Sequence, residues 1–191
     1  MEQTKTKEKN REIDMLHGKL AGKLIMFALP LAFSTILQQL FNSADVAVVG
    51  RFAGSSALAA VGSSVALVGI FVNLITGLSV GPNAALANLI GQNKREQISA
   101  MLHTILTFGL ILGIGLMCLG FIIAKPVLVV SGTPDSVMDQ AMLYIRIYFL
   151  SIPFMLLYNF GAAALRSYGD SKRPMYYLLL AGVVNVVLNL L

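Results

Sequence analysis

Residues 52–93 read FAGSSALAAVGSSVALVGIFVNLITGLSVGPNAALANLIGQN, without a single Asp, Glu, Lys or Arg. Residues 97–124 are equally free of charge. A soluble domain must keep its surface wet and carries roughly 25% charged residues. Here charged residues make up 12% and hydrophobic ones 57%, and the mean hydropathy is +0.77. No soluble fold of 191 residues hides uncharged runs of that length, whereas a bilayer does. The sequence therefore specifies an all-α membrane protein, a polytopic helical bundle.

A membrane-spanning helix needs roughly 20 mostly apolar residues. Five segments meet or approach that length, at about 24–50, 56–90, 98–123, 141–165 and 174–191. The second is either long and tilted or broken near Gly77 to Gly81, and Lys125-Pro126 is expected to stop the third. Residues 1–22 are too charged for a cleavable signal peptide and read as a cytoplasmic tail, with a short interfacial helix near 13–20. Residues 23–191 then form the membrane unit. The last run, from Pro174, covers about 27 Å at ~1.5 Å per residue, just short of a ~30 Å hydrocarbon core. It carries no flanking charge at its end, so the sequence predicts a continuation beyond Leu191.

The net charge of +5 is distributed by membrane side and does not form a nucleic-acid face. Lys5, Lys7, Lys9, Arg11, Lys19 and Lys23 precede the first span, and Lys94, Arg95, Arg166, Lys172 and Arg173 occupy two loops on the same side. Arg51 and Lys125 lie opposite, and Arg146 is near the outer end of the fourth span. By the positive-inside rule the N-terminus is cytoplasmic and the protein is a multi-pass component of the plasma (inner) membrane. The single cysteine, Cys118, excludes an intrachain disulfide framework. No metal-ligand spacing, nucleophile elbow or phosphate-binding loop occurs, and no resident cofactor is expected. His103 reads as a packing residue and His17 lies in the tail.

Polar residues within the spans carry the functional signal. An ionisable group at the bilayer centre costs around 2.5–3.5 kcal/mol on insertion scales. Asp45 is the acidic residue well inside an apolar run, and it shares a helix face with Gln38, Phe41 and Asn42. One reading is a shallow carboxylate that caps a helix or pairs with Arg51. The other, which the insertion cost favours, is a protonatable or cation-binding carboxylate in a cavity, with Na+ as one occupant. Tyr144, Tyr148, Ser151, Met155 and Asn159 form one stripe on the fourth span, and Asn185 and Asn189 lie one turn apart on the fifth. Pro30, Pro82 and Pro153 are tolerated as kinks, and Pro30 is a candidate hinge. Gly50, Gly77 and Gly109 each open a small-xxx-small pattern.

Several motifs occur in an order that resembles one family. Ala28-Leu29-Pro30 and Asp45-Val46-Ala47-Val48-Val49-Gly50 resemble the first helix of the multidrug and toxic-compound extrusion (MATE) transporters. Ala57-Leu58-Ala59-Ala60-Val61-Gly62, Gly77-Leu78-Ser79-Val80-Gly81 and Leu89-Ile90-Gly91-Gln92-Asn93 are similar to its second. Ala164-Leu165-Arg166-Ser167-Tyr168-Gly169-Asp170-Ser171-Lys172-Arg173-Pro174 and Asn185-Val186-Val187-Leu188-Asn189 match its fourth-to-fifth loop and fifth helix.

The resemblance implies a twelve-helix exporter of two six-helix lobes, this chain being five of the six helices of the first lobe. The C-terminal half of the same chain is then an expected partner, beside membrane lipids and small amphipathic or cationic substrates. The family exchanges such compounds for H+ or Na+. The resemblance implies that Asp45, with Asn185 and Asn189, binds the coupling ion, and that Gln38, Phe41, Tyr144 and Asn159 line the substrate cavity. Some relatives carry an aspartate where Asn189 stands, which leaves the choice between H+ and Na+ open. The alternatives are a lipid-linked oligosaccharide flippase of the same superfamily, a non-transporting structural membrane protein, and an intramembrane enzyme. The flippase needs a cavity rich in Arg and Lys. The structural protein leaves Asp45 unexplained, and the enzyme needs an acid–base or metal set that is missing.

Overall fold

The computed structural model describes residues 20–190, and the expected interfacial helix near 13–20 falls almost wholly outside them. The described residues form six α-helices and one π-helical turn. Helix α1 is Leu20–Val48, followed by the π turn Val49–Ala53, and α2 is Gly54–Leu78. Then come α3, Val80–Gly91, α4, Arg95–Val130, α5, Asp135–Ser167, and α6, Lys172–Leu190. Among the described residues three stretches are long and apolar enough to cross a membrane: Ala21–Gly91, Glu96–Val130 and Asp135–Ser167, with mean hydropathies of 2.2, 2.5 and 1.6. The first is divided at Gly54, whose φ of 86° is open to glycine and strained for other residues.

The second expected span, 56–90, is two helices. The break is local, because Ser79 keeps right-handed helical angles. Pro82 lies in the first turn of α3, where its missing N–H has no intrahelical role. Asn93 takes a left-handed φ of 55°, one of the few non-glycine residues suited to ending a helix that way. The third span corrects an expectation. Lys125-Pro126 does not stop α4, which runs on to Val130. A proline near a helix end removes one ladder bond and little else, and the stop comes at Gly132, with φ 73°.

Helices α2 to α5 pack into one bundle. The seam between α4 and α5 is built on glycine. A Cβ on Gly109 would lie 2.6 Å from the Phe160 ring, one on Gly113 2.6 Å from Pro153 Cα, and one on Gly120 2.8 Å from the Phe149 ring. These pairs descend one helix while climbing the other, so α4 and α5 are antiparallel. Phe71 stacks against Phe149 with centroids 4.8 Å apart, and Ser64, Leu67 and Ile75 of α2 are buried. Polar bonds fasten both ends: Ser56 Oγ to Gln140 Oε1 at 3.1 Å and Ser167 Oγ to Asn83 Oδ1 at 2.7 Å. α2–α3 therefore runs parallel to α5.

Helix α1 packs chiefly against α6, outside that bundle. The Phe41 ring fills the space above Gly182 and leaves no room there for a methyl group. Asp170 begins α6 by accepting the Lys172 and Arg173 backbone N–H groups on Oδ1, each at 3.1 Å. Its Oδ2 lies 3.0 Å from Arg173 Nε. Gly169 makes the preceding turn with φ 80°.

Candidate functional site

The polar residues of α1 and α6 meet at the end of the pair near the π turn. Asn189 Nδ2 donates to Asp45 Oδ1 at 2.5 Å, a short, charge-assisted bond when the carboxylate is ionised. The same amide lies 3.4 Å from Asn185 Oδ1, at the edge of hydrogen-bonding distance. Asp45 and Asn185 are half-buried and Asn189 is exposed. Tyr144 of α5, 36% exposed, lies within electrostatic reach of Asp45. Helices α1 and α6 thus supply the bonded cluster, and Tyr144 of the bundle acts on it only at a distance.

Other expected site residues lie elsewhere. Gln38 is exposed on the Asp45 face of α1, about 10 Å down the helix at 1.5 Å per residue. Asn159 is about 22 Å along α5 from Tyr144, and its Nδ2 donates to its own helix at Met155 O, 2.8 Å away. Phe41 belongs to the α1–α6 seam. Pro30 lies inside an unbroken α1, where Ser34 Oγ donates to Pro30 O at 2.7 Å, a back-bond that tends to bend helices. Among the described residues no three His, Cys, Asp or Glu side chains form a metal-binding group.

Two further positions matter. Gly182, with Asn185 and Asn189, forms a stripe at helical spacing. That stripe was visible in the sequence once the glycine was read as part of it. The buried Tyr148 hydroxyl has no hydrogen-bond partner among the described residues. Its place on the Tyr144–Asn159 stripe was legible, but its unsatisfied state was not.

Fold and hydropathy together define an integral membrane protein of the helical-bundle class. The chain belongs to the MatE family, whose model matches residues 30–191, and the resemblance to MATE transporters is borne out. It is 34% identical over 163 residues to the probable multidrug resistance protein YoeA of Bacillus subtilis, covering 85% of this chain and 35% of that protein. It is 33% identical over 178 residues to the probable multidrug resistance protein YpnP of the same organism, covering 92% and 39%. A solved structure of a multidrug resistance MATE family transporter in an outward-facing conformation superposes with a TM-score of 0.83 at 26% identity, covering 94% of this chain and 40% of that one. The chain thus spans about two fifths of the proteins it matches. The family is one of transporters, not of enzymes.

Proposed function

We propose that the full-length protein is a secondary transporter of the plasma (inner) membrane, with a cytoplasmic N-terminus. It exports amphipathic or cationic drugs in exchange for H+ or Na+, and needs the C-terminal half of its chain to do so. The names of the two Bacillus relatives support drug export as the cargo class. The observation that carries the coupling role is the Asp45–Asn189 bond between α1 and α6. An amide is suited to this place because it has two faces. Its N–H stabilises a bare carboxylate, and after rotation its oxygen accepts the proton of a neutral acid or joins Asp45 and Asn185 oxygens around a sodium ion.

Occupancy of Asp45 then changes what holds α1 to α6. A ligand shifts a conformational equilibrium only through differential affinity for the two states, and a seam made or relaxed by ion binding provides that difference. The stripe of Tyr144, Tyr148 and Asn159, with Gln38, forms the cargo side. Arg146, two residues from Tyr144, lies about 200° around the helix. The cationic cavity of a flippase for lipid-linked sugars is therefore not supported.

The test is Asp45→Asn in the full-length protein, reconstituted in vesicles. Wild type should move substrate under an imposed pH or sodium gradient, and the variant should not, while it folds and inserts as well as wild type. Equal transport by both under both gradients would remove Asp45 from the mechanism.

A further inference from the structure

On the side of α5 away from Tyr144, a second charged group meets a depression in the surface. Lys125 of α4 and Asp139 and Arg146 of α5 line a cavity of about 250 Å³, with Met138, Met142 and Leu143 as its apolar wall. No ion pair joins these three side chains, although the two cations and the carboxylate face one space. Three opposed charges that share a pocket without pairing are arranged for a ligand carrying both signs.

The depth of the pocket narrows that ligand. Helix α5 carries no charge between Arg146 and Arg166, a step of about 30 Å at 1.5 Å per residue, equal to a hydrocarbon core. With Arg166 at one boundary, Arg146 lies at the other. On α4, Lys125 closes the uncharged run 97–124 at the same end of the bundle. Both cations therefore sit at the level of lipid phosphates. Ile147, 61% exposed, and Leu150, 54% exposed, continue from the pocket towards the membrane centre as an apolar track beside Arg146.

We propose that this groove between α4 and α5 binds one phospholipid with a primary ammonium headgroup. Lys125 and Arg146 take the phosphate, the guanidinium offering a two-pronged donor. Asp139 accepts N–H bonds from the ammonium, Leu143 packs against the headgroup end, and the acyl chains lie along Ile147 and Leu150. A quaternary ammonium has no N–H to give Asp139, so choline lipids bind more weakly. A headgroup without a cation leaves Asp139 facing the phosphate unpaired. The site is separate from the Asp45 cluster and does not depend on the coupling ion or the cargo.

The test is native mass spectrometry of the detergent-purified full-length protein. It is titrated with dioleoyl phosphatidylethanolamine, phosphatidylcholine or phosphatidylglycerol, and in a separate arm with inorganic phosphate. Wild type should retain one phosphatidylethanolamine in preference to the other lipids. Lys125→Gln with Arg146→Gln should lose that adduct by about tenfold or more, the worth of a charge-assisted bond. Asp139→Asn should keep lipid binding and bring the ethanolamine-over-choline preference close to one. Melting temperatures in the same detergent show that each variant is folded, and should the double variant unfold, Asp139→Asn decides alone. An unchanged adduct in the double variant, an unchanged preference in Asp139→Asn, or displacement by inorganic phosphate without lipid retention would each overturn the proposal.

Discussion

Helices α2 to α5 and the pair α1–α6 are made of similar residues and held in different ways. Every residue of the buried core, from Ala60 to Ala164, belongs to the first group. In the pair, Leu24, Leu29, Phe33, Ile36 and Leu40 of α1 and Leu180, Val183 and Leu188 of α6 are exposed. Between membrane helices there is no hydrophobic driving force, so association rests on close packing and hydrogen bonds. The bundle has three glycine notches that let α4 and α5 meet at backbone distance. The pair has one aromatic ring in one notch, an acid–amide bond near one end and the Asp170 cap at the other. Among the described residues, a rearrangement of the pair against the bundle breaks few contacts, whereas one within the bundle breaks a core.

That contrast predicts a ranking of substitutions in the full-length protein. Gly113→Leu drives a side chain into Pro153 Cα, which is backbone and cannot rotate aside. We expect a loss of about 3 kcal/mol, the upper range for overpacking, seen as loss of the monodisperse species in detergent. Gly115→Leu, on the same helix with nothing within 4 Å, should be within about 0.5 kcal/mol of wild type. Equal behaviour of the two would break the comparison at its strongest point.

At the seam of the pair, Gly182→Leu should cost about 2 kcal/mol, because the obstructing Phe41 ring can swing towards the exposed side. Thermal unfolding should show a smaller shift than for Gly113→Leu, and transport a larger loss than that shift explains. Asp170→Ala removes the cap of α6 and the partner of Arg173. It should cost about 1 kcal/mol, the usual worth of a cap, and the cleavage rate of the 168–171 turn by an added protease should rise.

The two regions also differed in how far the sequence disclosed them. The uncharged run 52–93 gave the membrane class at once, because no soluble fold tolerates it. Among the glycine patterns, spacing alone could not separate use from chance. Gly109 and Gly113 make contacts in the seam, Gly77 and Gly81 meet nothing, and Gly54 is used for its positive φ. All three patterns look alike until the partner helix is known. Asp45 was legible from its insertion cost, and Asn189 from its position on the Asn185 stripe. Their bond was not, because it joins residues 144 positions apart. Asn159 shares the stripe of Tyr144 as the spacing suggested, about 22 Å further along the helix, but its bond to its own backbone at Met155 O could not be read from that spacing.

A stability effect as small as that of Gly115→Leu is expected at the residue on which the functional contrast depends most. Asn189→Ala deletes the donor to Asp45, and elsewhere loss of a bond to a charged group costs roughly 1.5–3 kcal/mol. Among the described residues the donor is exposed and the acceptor only half-buried; in the proposed ion-accessible cavity water replaces the lost N–H, and the penalty of an orphaned buried charge does not arise. The melting temperature should therefore remain within the change produced by about 0.5 kcal/mol. Coupled transport, measured in vesicles under imposed gradients, should fall several-fold, because the amide that distinguishes an empty from an occupied carboxylate is gone. Asn189→Gln keeps the amide on a longer arm and should recover part of the rate, which a purely structural role would not require. If Asn189→Ala lowers the melting temperature as much as Gly182→Leu does while transport per folded molecule is unchanged, the Asp45–Asn189 bond is a packing device. The pair would then be joined for stability, and the distinction between a rigid bundle and a responsive pair would not hold.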